Sequence, residues 1–178
     1  MSDLKRQRAA VSAEGRGIPG NSRFFAVASP VEVDGLDWAI LRHLQSEGRV
    51  PFAELGRRVG LGASSTAERV RRLEDAGVIR GYRAELDLER LGYPLLAFVR
   101  VHMARADEGP FRRTIEERPE VVGCYHVTGE DCYVVRIVAR SVRHLEELAR
   151  ELARHGTTTT SLVFSTLVEG RPFERPAE

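Results

Sequence analysis

The chain has 178 residues, with 27 Lys and Arg against 26 Asp and Glu and a formal net charge of +1. A hydrophobic fraction of 42% and a charged fraction of 30% are those of a soluble globular protein with room for one ordinary domain or two small ones. The near balance argues against a chain that is basic throughout, and no apolar run is long enough to span a membrane. Two cysteines, Cys124 and Cys132, are too few for a disulfide framework and leave no Cys-x-x-Cys spacing for zinc, so reduced thiols are expected.

Residues 1–33 show no sustained period and carry scattered Gly, Ser, Pro and Arg; they read as a flexible extension. Lys5, Arg6 and Arg8 have no apolar segment behind them, which argues against a secretory signal and for a cytoplasmic protein. Order is expected from Asp34. Asp34 can cap a helix with Asp37 at its third position, and Leu36, Ile40, Leu41 and Leu44 form a helical apolar stripe. Gly48 ends that helix and Pro51 opens the next. The spacing predicts helices over 36–47, 52–59 and 65–76, with Gly60 and Gly77 as C-terminal caps.

The second and third of these helices enclose the tight turn Gly60-Leu61-Gly62-Ala63, which makes a helix-turn-helix unit. The third helix is expected to start at Ser64 or Ser65, with Ser65 and Glu68 as a capping box. Thr66, Val70 and Leu73 fall on one face, and Ser65, Arg69 and Arg72 on another. An apolar back and an Arg/Ser front suit a reader of the DNA major groove, where Arg meets guanine edges bidentately. From Arg49 to Arg83 there are eight Arg against four acids, whereas from Arg90 onward thirteen Arg balance thirteen acids. The positive charge is thus concentrated around the helix pair. The expected DNA-contacting residues are Ser64, Ser65, Thr66, Glu68, Arg69, Arg71, Arg72 and Arg80. Val78 to Tyr82 suggests a short wing strand that brings Arg80 and Arg83 to the DNA backbone.

Residues 85–92 read as a linker with one helical turn. Beyond it the hydrophobic period changes. Strands are expected at Leu95–Met103, Val121–Thr128, Tyr133–Ala139 and Thr157–Val168. Helices are expected at Pro110–Arg118 and after a Ser141 cap, where Leu145, Leu148, Ala149 and Leu152 share one face. The order βαββαβ is the ferredoxin-like arrangement. It would leave one sheet face uncovered, with Val99, Val101, Val135 and Ile137 on one parity or the other, and so favours self-association. The expected fold class is α+β: a winged helix-turn-helix at 34–84, a linker at 85–92, a ferredoxin-like domain at 93–170 and a tail at 171–178.

Leu36-Asp37…Ile40-Leu41, Val59-Gly60-Leu61 and Arg69-Val70-x-Arg72-Leu73-Glu74-x-x-Gly77-Val78-Ile79 together resemble the Lrp/AsnC family of prokaryotic transcription regulators, over about residues 34–170. The resemblance implies a helix-turn-helix joined to a ligand-sensing (RAM) domain, dimers formed through the sheet and often octamers, and small effectors, usually amino acids, bound between dimers. The effector loop resembles Gly129-Glu130-Asp131-Cys132-Tyr133. It departs from the common Gly-Asp-Tyr-Asp-Tyr at Asp131 and Cys132. A second effector element would be Thr158 and Thr160. On residue type alone, the first stretch also suits a hairpin turn and the second a plain strand. No catalytic group, metal or cofactor is expected. His102, His126, His144 and His155 form no metal-ligand or catalytic spacing. The alternatives weighed are an enzyme resembling sirohaem decarboxylases on the same layout, and an architectural DNA-wrapping protein. The expected partners are double-stranded DNA, further copies of the chain and a small metabolite.

Overall fold

The computed structural model describes residues 31–103, 108–129 and 132–175. Three helices come first: α1 Gly35–Ser46, α2 Phe52–Val59 and α3 Ala63–Asp75. A four-stranded sheet with two helices comes next: β1 Leu95–His102, α4 Glu108–Glu117, β2 Val121–His126, β3 Tyr133–Ala139, α5 Val142–Ala153 and β4 Thr157–Leu162.

The start of α1 is set by a reciprocal capping box. The Asp37 N–H donates to the Asp34 carboxylate at 2.8 Å, and the Asp34 N–H donates to Asp37 at 3.1 Å. Two donors that would otherwise be orphaned are satisfied at once. At the end of α2, Gly60 takes φ +76°, a left-handed conformation that a side chain would oppose. α3 ends in a Schellman arrangement: Gly77 N–H donates to Glu74 O, and Val78 N–H to Leu73 O. Val78 then packs beside Leu73 on the small core of Ile40, Val50, Leu55, Val70 and Leu73.

Two expectations fail here. α3 begins at Ala63 with Gly62 as its N-cap and no side-chain cap bond, so the expected Ser65–Glu68 capping box does not form. The chain leaves the Gly60 turn already able to start a helix one residue after Gly62, which places Ser65 inside the first turn. The wing strand is also missing among the described residues. Val78 and Ile79 turn inward to the helical core instead of pairing, and 80–87 runs without ladder bonds. Tyr82 anchors that run by donating to Glu74 at 2.9 Å.

The sheet order is β2-β3-β1-β4, all antiparallel, which is the ferredoxin-like arrangement expected from the βαββαβ order. Register corrects the expectation that Val99, Val101, Val135 and Ile137 lie on the uncovered face: all four face the helices, in one core with Ala97, Ala139, Phe111, Leu145, Leu148 and Leu152. The opposite face carries Phe98, Arg100, Val134 and Arg136 in adjacent cross-strand rows, and is more mixed than a purely apolar patch. Ser141 caps α5 by accepting from His144 N–H at 3.2 Å, as expected.

β4 is shorter than expected and stops at Leu162. The chain then returns across the molecule. Glu169 pairs with Arg136, and Phe173 exchanges two hydrogen bonds with the Gln45 amide of α1 at 2.8 and 3.0 Å. Phe173 also lies with its ring centroid 6.0 Å from that of Trp38. The segment expected as a tail from 171 is therefore engaged with α1 through 175. No described helix is long and apolar enough to cross a membrane.

Candidate nucleic-acid interface

α3 is fixed by its buried side before its outer face can be judged. Val70 and Leu73 are buried, and so is Thr66, whose hydroxyl donates to Gly62 O at 2.9 Å. This corrects the assignment of Thr66 to the DNA-contacting set, because no part of it reaches solvent. Gly56 explains how α2 and α3 come so close. A Cβ there would sit 2.6 Å from Leu61 O and 2.8 Å from the Thr66 hydroxyl, so only glycine fits the crossing.

The arginines divide into two groups. On α2, Arg57 and Arg58 both donate to Glu54, and Arg58 also reaches Glu47; these arginines pull the Glu54 carboxyl down to about 2. On α3, Arg69 donates to Asp34 at 2.7 Å and to Asp37 at 2.9 Å, and Arg72 also pairs with Asp37. Asp37 is fully buried, while the Arg69 and Arg72 side chains remain 28% and 53% exposed. Buried carboxylates persist only when paired, and removing a partner typically costs about 3 kcal/mol or more. Arg69 and Arg72 are thus committed first to α1 and do not stand free on the reading front.

The second group is exposed and makes no ion pair among the described residues: Arg49, Arg71, Arg80 and Arg83. With Arg71 on the outer side of α3 stand Ser64, Ser65 and Glu68, all exposed. Losing the capping box releases Glu68 from a structural role. Because Gly62 offers no side-chain acceptor, the first-turn N–H groups of α3 have no side-chain cap, as at helix starts that receive phosphate.

At the far end of the sheet domain, the register lines up the expected effector elements. Val101 pairs with Tyr133 on one side and with Thr158 on the other, which places Tyr133, Val101 and Thr158 in one row on the helix side. Thr160 sits two residues along, opposite Val99. Gly129 adopts φ +112°, and Val127 N–H donates to Cys132 O at 3.0 Å, so the hairpin closes as expected. Glu130 and Asp131 lie outside the described residues.

Tyr133 is less available than its place in the loop suggests. Its ring lies 4.7 Å from Phe111 and is stacked 4.7 Å from His126. Burial, aided by the Glu108 carboxylate that accepts a hydrogen bond from its hydroxyl, pushes the phenol up to about 12. Cys132 donates its thiol to Met103 O at 3.4 Å. Burial likewise pushes the Cys124 thiol up to about 11, which makes it a poor nucleophile near neutrality. No group of three or more His, Cys, Asp or Glu is placed to hold a metal among the described residues.

Comparison with known proteins decides the family. Residues 33–74 match the AsnC-type helix-turn-helix domain, and residues 96–173 match the Lrp/AsnC ligand binding domain. The chain belongs to the Lrp/AsnC family. The HTH-type transcriptional regulator LrpC of Bacillus subtilis is 32% identical over 137 residues, spanning 77% of this chain and 95% of LrpC. Its structure superposes with a TM-score of 0.74, covering 78% of this chain and 99% of that one. A Neisseria meningitidis transcriptional regulator solved with L-methionine is 31% identical, with a TM-score of 0.74 over 80% of this chain and 96% of the other. A feast or famine regulatory protein of Mycobacterium tuberculosis, also complexed with L-methionine, is 33% identical. It matches with a TM-score of 0.74 over 81% of this chain and all of that one. The Lrp/AsnC protein described here is accordingly a DNA-binding, metabolite-responsive regulator of transcription and not an enzyme. Its relatives' names speak for that role over a decarboxylase or an architectural protein.

Proposed function

We propose that this regulator reads DNA through Ser64, Ser65, Glu68 and Arg71 of α3, with Arg80 at the flanking backbone. We further propose that its response is triggered by an amino acid held at the Tyr133 end of the sheet. The observation that carries the reading face is the division of the arginines: Arg71 and Arg80 are exposed and unpaired among the described residues, whereas Arg69 and Arg72 are bound to Asp37. Ser64 and Ser65 sit in the first turn, where side-chain hydroxyls and backbone N–H groups converge on phosphate and base edges. Glu68 is a natural acceptor for a cytosine amino group.

The effector reading is supported by the shared row of Tyr133, Val101 and Thr158 and by the L-methionine bound to the two related regulators. In this chain Cys132 stands where the family often has an acid, so an α-amino group must find its carboxylate at Glu130 or Asp131. Self-association would use the open sheet face, where Phe98 and Val134 present apolar surface among Arg100 and Arg136.

A thermal-unfolding screen against the twenty amino acids, L-methionine first, tests the effector. A ligand at about a hundred times its dissociation constant adds roughly 2.7 kcal/mol, which raises the midpoint by several degrees at roughly 2–4 °C per kcal/mol. A flat response to all twenty would refute an amino-acid effector and leave the DNA reading untouched. That reading is tested by Arg71→Ala, which should weaken binding to a selected duplex by roughly 1–3 kcal/mol without lowering the thermal midpoint; unchanged affinity would remove Arg71 from the interface.

A further inference from the structure

We infer that Asp37 is a positioning residue for DNA recognition, which withholds Arg69 and Arg72 from the phosphates and thereby keeps binding selective. The inference rests on the reading face proposed above. Asp37 lies in the first turn of α1, has no solvent exposure, and is the point where three interactions meet. Its N–H and one carboxylate oxygen form the capping box with Asp34. Its carboxylate also accepts from Arg69 at 2.9 Å and pairs with Arg72. Arg69 closes the network by donating to Asp34 at 2.7 Å.

Arg69 and Arg72 are three apart, so they share a side of α3 with Ser65, adjacent to the outer side that carries Ser64, Glu68 and Arg71. Two arginines in that position would naturally swing to the nearest phosphates, which attract any cation whatever the base sequence. A buried carboxylate competes at short range and with little screening. The pairs therefore do two things. They fix the rotation of α3 against α1, which aims Ser64, Ser65 and Glu68, and they subtract two positive charges from the sequence-independent part of binding. Selectivity is a difference of affinities, and lowering the indiscriminate component widens it.

The test uses the full chain and two duplexes: one selected by the wild type from a random library, and its scrambled counterpart. Affinity is followed against salt. Asp37→Asn keeps the shape and releases both arginines. For each helix-turn-helix unit bound, the slope of log affinity against log salt on the scrambled duplex should steepen by up to about 1.8, about 0.9 per arginine. Scrambled-duplex affinity at low salt should rise and the preference for the selected duplex should narrow. A wild-type slope and preference in Asp37→Asn would overturn the inference.

If that variant does not fold, the triple variant Asp37→Asn/Arg69→Gln/Arg72→Gln keeps polar partners without any charge. Its slope should equal that of the wild type. A slope lower by about 1.8 would show that the two arginines already neutralise phosphates, and the inference would fall. A wild-type chain that enriches no sequence from the random library would instead refute the reading face itself, which separates the two failures.

Discussion

The helix-turn-helix and the sheet domain are stabilised by different means. The sheet domain buries ten apolar residues in one core between its strands and two helices, and its ladder satisfies the backbone. The three-helix unit has five such residues, together with two buried polar ones, Asp37 and Thr66. A core that small sets which faces meet but leaves the angle between short helices loosely determined. The polar groups supply the angle: Asp37 ties α3 to α1, and Thr66 closes on the Gly62 carbonyl at the tight approach of Gly56. Stability and recognition are therefore separable in the sheet domain and entangled in the helical unit, where groups that support the fold neighbour those that meet DNA.

Paired glycine substitutions break or confirm this contrast most strongly. Gly156→Ala would set a Cβ 2.2 Å from His102 O, and Gly56→Ala would set one 2.6 Å from Leu61 O. Both contacts are with backbone, so each should cost roughly 2–3 kcal/mol in urea unfolding. Only Gly56→Ala should also degrade DNA affinity in the folded fraction, since it pushes α3 off α2. Equal DNA binding by both folded variants would show that the recognition helix is not set by the Gly56 crossing.

A smaller effect is expected from Thr66→Val, which keeps the shape and removes the buried hydroxyl. About 1 kcal/mol of stability should be lost, with base preference unchanged because Thr66 does not reach the surface. An altered preference would return Thr66 to the interface.

The smallest effect concerns acid. Accepting the Asp37 N–H and pairing with Arg69 lower the Asp34 carboxyl from 3.8 to about 2 in the folded chain. A depressed carboxyl adds stability that is present above its unfolded value near 3.8 and is lost as pH falls through about 2. Between about pH 4 and 2, Asp34→Asn should therefore lose less of its thermal midpoint than the wild type. Parallel curves would show that the cap contributes nothing to acid unfolding.

Much of this molecule is legible in its residues because the signals are local. Asp34 with Asp37, Gly60, Gly77 and Ser141 each act within one turn, and all function as caps as the spacing suggests. The β3 bounds, Tyr133 to Ala139, agree with alternation alone. The start of α3 is misplaced by sequence reasoning because Ser65 and Glu68 satisfy the capping-box spacing wherever the helix begins, while Gly62 carries no side chain to advertise itself. The wing strand is misread because Val78 and Ile79 favour strands but are consumed by the helical core. Among the site residues, Ser64, Ser65, Glu68, Arg71 and Arg80 are exposed as a reading face requires. Thr66 is not, although its i, i+4, i+7 spacing with Val70 and Leu73 already places it on the inner face.

By itself, the sequence determined the element order, the family, and the concentration of positive charge around the helix pair, since all three arise from residue type and short spacing. Tertiary structure alone decided which arginines are available. Helical period sets Arg69 and Arg71 on different sides of α3 but does not say which side is free, and only the approach of a buried Asp37 from 32 positions away in the chain ties Arg69 down. It alone decided, too, that Val99, Val101, Val135 and Ile137 face the helices, because a period of two names the members of each face but not the side on which the helices will pack.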